Sequence, residues 1–171
     1  MATVFTGTFN NVRSDSNASF RVVCPLTGGA LSQVRVTFAG TGTGMNATNA
    51  SIGISTGSTG DTTAIPVELL FGGLSGFSSA VNITSDWVNL SGFTSSDKLV
   101  VIIDFSGSYL LDDVTASGTS MYYAFSAPSY NQATPSGFGG PLAWDPGVAL
   151  IETQSTTPPP GLPLMGQIWL A

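Results

Sequence analysis

The run Lys98-Leu99-Val100-Val101-Ile102-Ile103-Asp104-Phe105 decides the fold. Five consecutive apolar residues, mostly β-branched, stand between Lys98 and Asp104. That length suits a strand and falls well short of the roughly 10–12 residues of a buried helix. No polar residue interrupts the run, so both of its faces need covering, and it is expected to be a central strand. Each buried apolar side chain contributes roughly 1.5–3 kcal/mol, and only a strand with neighbours on either side keeps that gain. Turn formers bound it, Ser95-Ser96-Asp97 before and Ser106-Gly107-Ser108 after, so the chain is expected to reverse at both ends.

Outward from this run the pattern is one of alternation. Phe20, Val22 and Cys24 share one side of an extended segment, as do Val34, Val36 and Phe38, with Gln33, Arg35 and Thr37 opposite. After the break Gly40-Thr41-Gly42-Thr43-Gly44, Ile52 and Ile54 alternate with small polar residues. Ile65, Val67, Leu69 and Phe71 then share a face, and Pro66 places that strand at an edge. Val81 and Ile83, Trp87 to Leu90, Met121, Tyr123 and Phe125, and Val148 to Ile151 complete the set. No helical period persists. The expectation is an all-β chain, a two-sheet antiparallel β-sandwich of jelly-roll-like form with about eight or nine strands.

Three parts follow from this reading. Residues 1–12 form either an N-terminal arm or an edge strand, residues 13–153 the sandwich, and residues 154–171 a C-terminal arm. The arm carries no charge: Pro158-Pro159-Pro160 stiffens a spacer, and Leu162, Leu164, Met165, Ile168, Trp169 and Leu170 make its end strongly apolar. Such a terminus is expected to fold back along its own sandwich or to be given to a neighbouring subunit as an assembly element.

Composition narrows the function. Hydrophobic residues make up 42% of the 171 but charged ones only 8%, against about 25% in ordinary soluble proteins. A surface of hydroxyls and amides suits close packing, because few charges must be desolvated. The net charge of −6, with Arg13, Arg21, Arg35 and Lys98 as the only basic residues, argues against nucleic acid as a partner. No apolar run approaches the ~18 residues needed to span a membrane. The opening residues lack a basic, apolar leader, which points to synthesis in a cytoplasm without a signal peptide. Cys24, the single cysteine, falls in phase with Phe20 and Val22 and reads as a small buried hydrophobe.

The catalytic motifs on paper do not survive inspection. Gly53-Ile54-Ser55-Thr56-Gly57 spells a nucleophile elbow, but the chain contains no histidine and no helix follows. Gly42-Thr43-Gly44-Met45-Asn46-Ala47 has a dinucleotide-loop spacing, again without a helix to present to a pyrophosphate. Most acids, such as Asp61, Asp86 and Asp97, adjoin Ser, Thr or Gly and read as turn chemistry, and Asp104 reads as the polar end of the central run. Asp112-Asp113 lacks the further oxygen ligands that calcium requires. No catalytic residue, metal or cofactor is expected. Five Asn-x-Ser/Thr sites, at Asn17, Asn46, Asn49, Asn82 and Asn89, likewise read as turn residues.

The stretches Phe71-Gly72-Gly73, Thr84-Ser85-Asp86-Trp87-Val88-Asn89-Leu90 and Asp97-Lys98-Leu99-Val100-Val101 resemble the non-catalytic β-sandwich that accompanies SGNH-type hydrolase domains, and they look like jelly-roll modules of tailed-phage virion proteins. The resemblance implies a stand-alone surface module with no catalytic residues to carry over. The resulting expectation is a non-enzymatic structural protein of a phage virion, a capsid decoration or tail component, whose partners are copies of itself and other virion proteins. The alternative is a glycan-binding module for attachment to a cell surface, with Tyr122, Tyr123, Tyr130 and Trp144 as its aromatic platform.

Overall fold

A computed structural model describes residues 1–7, 9, 11–28, 32–40, 45–57, 59–94, 96–111, 119–125, 128–142 and 146–155, with backbone alone at 11–16 and 107–111. The expected apolar arm, Leu162 to Leu170, and Trp144, Asp112, Asp113 and Gly42 to Gly44 lie outside these residues.

The described residues form strands and no helix. In chain order they are β1 (Ala2–Thr6), β2 (Asn11–Pro25), β3 (Gln33–Phe38), β4 (Met45–Ile54), β5 (Val67–Glu68), β6 (Leu70–Phe71), β7 (Leu74–Ser75), β8 (Phe77–Ser79), β9 (Ile83–Thr84), β10 (Val88–Asn89), β11 (Lys98–Leu111), β12 (Ser120–Phe125), β13 (Gly139–Leu142) and β14 (Val148–Gln154). Eight of them, β1 to β4 and β11 to β14, have four residues or more; the other six, β5 to β10, are two or three residues long. One sheet runs β1-β14-β3-β10 with β9 also on β3; the other runs β13-β12-β2-β11-β4-β5 with β8 also on β4. Every pairing is antiparallel. The chain is therefore an all-β, two-sheet sandwich, as its alternation requires.

The core lies between the sheets. Val34, Val36 and Phe38 of β3 meet one buried cluster with Phe20, Val22 and Cys24 of β2 and Leu99, Val101, Ile103 and Phe105 of β11. Cys24 is fully buried in this cluster, the packing role its phase implies. The N-terminal residues take the edge-strand form: β1 pairs with β14 and sends Val4 and Phe5 into the core, a one-residue irregularity at Thr3/Phe5 turning both inward.

The strand β11 is central, between β2 and β4, and is buried on both faces. Its odd-numbered residues 99 to 105 face the main core. Val100 and Ile102 form a second, smaller cluster with Val23, against which Tyr122 and Tyr130 pack. An apolar run with no alternation has this origin: a second layer covers the outer face of the sheet.

Two local expectations need correction. The Ser106-Gly107-Ser108 stretch does not reverse the chain, because β11 continues to Leu111. Opposite it the register with β2 slips between Phe105/Ala18 and Gly107/Asp15, and Asn17 takes a left-handed conformation with φ of 55°. Turn-forming residues are here absorbed as a bulge, which asparagine tolerates better than most side chains. In the 65–71 segment Leu69 and Phe71 are buried, as is Pro66 on the opposite phase, while Val67 is half-buried and Ile65 is 74% exposed. Pro66 interrupts the pairing, so β5 begins after it and contributes two residues to the sheet edge.

Candidate functional site

The outer face of the seven-stranded sheet concentrates the chain's unusual polar chemistry. On β2, Ser19, Arg21 and Val23 point away from the main core, and on β11 Val100, Ile102 and Asp104 do the same. Arg21 is 1% exposed and Asp104 4% exposed, so both charged groups need partners inside the protein. They find them in two loops, residues 55–64 and residues 128–138, which lie across the sheet.

Asp104 fixes the start of the second loop. Its Oδ1 accepts from the Ser19 hydroxyl at 2.6 Å and from the Ser129 amide at 3.1 Å, and its Oδ2 accepts from the Tyr130 amide at 3.4 Å. The Ser19 and Ser129 hydroxyls are 2.8 Å apart. With the Ser19 proton directed to the carboxylate, Ser129 is the donor in that pair. Asp104 is thus an interior strand residue wrapped in donors, and not the polar end of a run.

Arg21 fastens both loops at once. Its Nε donates to the Gly60 carbonyl, Nη1 donates to the carbonyls of Ser129 at 3.3 Å and Gln132 at 3.0 Å, and Nη2 to that of Ala133 at 3.1 Å. The Thr62 amide ties the loops directly by donating to the Ala133 carbonyl at 3.0 Å. Ser51, on β4, donates its hydroxyl proton to the Tyr130 carbonyl. Burial pulls the Arg21 pKa down from the ordinary arginine value to about 10, and the nearby charges of Asp61 and Asp104 oppose that shift. The guanidinium therefore stays charged at neutral pH, held mainly by carbonyl dipoles in a geometry that a planar five-donor fork satisfies.

Between the loops and β12 a cavity of about 200 Å³ opens to solvent. Its lining includes the aromatic residues Tyr122 and Phe138, the acid Asp61, and Arg21 with Gly60. The guanidinium carbon lies 5.9 Å from the Phe138 ring centre. Gly60 is required by closeness: a Cβ there would come within 2.8 Å of the Tyr122 ring and 3.2 Å of the Arg21 Cβ. The Tyr122 hydroxyl has a raised pKa, through desolvation first and the negative charge of Asp61 second.

The four aromatic residues singled out from the sequence are not one platform. Tyr122 and Tyr130 both stand on the outer face, against Val23, Val100 and Ile102. Tyr123 alternates to the other side of β12, where it packs against the main core and sits 5.8 Å from the Phe125 ring. Trp144 lies outside the described residues. Arg21, Asp61 and Phe138 also line the cleft, and none of the three is in the set of four. Arg21 left one faint signal, a cation in phase with Val23 inside an apolar strand in a chain with only four basic residues.

The paper motifs also resolve. Ser55 follows β4 at the start of a turn, where its hydroxyl donates to the Gly57 carbonyl at 2.8 Å and accepts from the Gly57 amide at 3.1 Å. Met45 to Ala47 are strand residues of β4 and not the start of a helix. Among the described residues no three acidic or cysteine side chains converge to hold a metal ion. No protein-family model matches the chain, and comparison with curated proteins returns no match.

Proposed function

We propose that this chain is a non-enzymatic structural protein that works by packing against copies of itself and other components of a particle, as a capsid decoration or tail component of a phage virion. One observation carries the reading. Residues 65–84 close one flank of the sandwich, pairing with β4 through β5 and β8 and with β3 through β9. On that flank Ile65 is 74%, Leu74 70% and Val81 71% exposed. Large apolar side chains left in water on a charge-poor surface favour contact with another molecule. The phage setting rests on the resemblance of the Phe71–Gly73, Thr84–Leu90 and Asp97–Val101 stretches, and the apolar residues Leu162, Leu164, Met165, Ile168, Trp169 and Leu170 add a second sticky element.

The mass of the purified full-length protein in solution, measured by analytical ultracentrifugation, tests this. A closed oligomer is expected, with dissociation when Ile65, Leu74 and Val81 are all replaced by Ser or when residues 156–171 are deleted. A wild-type monomer at high micromolar concentration would sink the proposal, as would an oligomer indifferent to both changes.

A further inference from the structure

We infer that the cleft between Tyr122 and Phe138 is a binding site for one ring of a neutral carbohydrate, a function separate from assembly. The chemistry of the walls selects the ligand. Two aromatic faces, Tyr122 and Phe138, offer stacking surface to the apolar C–H face of a sugar ring. Asp61, which also lines the cleft, offers two carboxylate oxygens, an acceptor set that matches a pair of neighbouring hydroxyls.

Charge and size narrow it further. The Arg21 guanidinium lies beneath the cleft and its Nε, Nη1 and Nη2 are all engaged by loop carbonyls. It serves as a fixed positive charge close to Asp61, so the cleft is close to neutral overall. A cationic ligand meets Arg21 and an anionic one meets Asp61, whereas a hydroxylated neutral ring meets neither penalty. The volume of about 200 Å³ is below the roughly 300–1,000 Å³ of sites that enclose a drug-sized molecule, and fits a single ring with the rest of the glycan outside.

The walls are also preorganised. Gly60 is held against Tyr122 by the Arg21 bond, and the Phe138 side rests on the loop that Arg21 and Asp104 fasten to the sheet. A rigid site loses little freedom on binding, which is what a small ligand with few contacts requires.

Saturation-transfer NMR on the full-length protein, with methyl glycosides of neutral hexoses, a uronic acid and an amino sugar as ligands, tests the inference. At least one neutral glycoside is expected to receive saturation at millimolar concentration, with the acidic and cationic sugars weaker by threefold or more. Asp61→Asn and Phe138→Ala each are expected to reduce affinity tenfold or more while leaving the thermal unfolding midpoint within a few degrees. Tyr122→Ala is informative only through Tyr122→Phe, which keeps the ring and is expected to keep most of the binding. No transfer to any neutral sugar, preference for a charged one, or binding unchanged in both Asp61→Asn and Phe138→Ala would overturn it. None of these outcomes depends on the oligomeric mass, so this site and the assembly reading stand or fall separately.

Discussion

Ser19 of β2 and Asp104 of β11 are register partners across the central strand pair, and the Ser19 hydroxyl donates to the Asp104 carboxylate at 2.6 Å although the two lie 85 positions apart in the chain. The bond joins the first long strand to the middle of the chain, and the same carboxylate then takes two amides from the loop that follows β12. One acid therefore orients strand, strand and loop. Arg21, two residues from Ser19 on the same face, does the equivalent for two loops.

Replacing Asp104 by Ala leaves the Ser19 hydroxyl and the Ser129 and Tyr130 amides without their acceptor. A buried donor left unpaired costs about 1–3 kcal/mol, so a loss of about 2–4 kcal/mol is expected after partial rescue by water. Urea unfolding followed by tryptophan fluorescence measures it. A loss under about 1 kcal/mol would mean that the carboxylate is not what holds the loop.

Arg21→Lys keeps the charge and loses the fork. A single ammonium cannot reach the Gly60, Ser129, Gln132 and Ala133 carbonyls together, so a destabilisation of about 2–3 kcal/mol is expected from bonds lost to buried acceptors. Limited proteolysis is expected to cut first within 55–64 and 128–138. Wild-type resistance in the lysine variant would show that charge alone suffices.

Ile102 and Ile103 are adjacent and both fully buried, one under the loop layer and one in the main core. Ile102→Ala and Ile103→Ala are each expected to cost about 2–5 kcal/mol, as truncations of packed side chains do. In a sheet with one wet face only Ile103 would matter. A near-neutral Ile102→Ala, read from the same unfolding curves, would contradict the second layer.

Tyr122 sets an alkaline signature. Its folded pKa is raised above the ordinary value of 10, so the folded state holds the proton more tightly, and the stability tied to it is full below pH 10 and falls as pH rises through the folded value. Absorbance titration near 295 nm is expected to show a late-ionising tyrosine that Tyr122→Phe removes. Asp61→Asn lowers its midpoint without bringing it to 10, because desolvation is the larger cause. Arg21, whose pKa lies near 10, adds no slope to stability across neutral pH.

The strand content and the identity of the core were legible in the chain because burial in a sandwich imposes a period of two residues. Phe20, Val22 and Cys24, Val34, Val36 and Phe38, and the unbroken run from Leu99 to Ile103 all occupy the interior that period assigns them. Local rules failed where a neighbour changed the outcome. Ser106-Gly107-Ser108 has turn chemistry, yet β2 supplies a long partner and Asn17 absorbs the mismatch, so the strand continues.

The cleft lay beyond sequence reading for a different reason. Arg21, Asp61, Tyr122 and Phe138 come from four separated segments, and nothing in the spacing of residues 21, 61, 122 and 138 predicts that two loops fold over one sheet face. The sequence alone determined that the alternating apolar side chains form strands with one face turned away from water, an arrangement that two facing sheets satisfy. Only the tertiary structure decided that a buried cation and a buried carboxylate would bind those loops in place, because the carbonyls and amides that satisfy them are brought there by the fold.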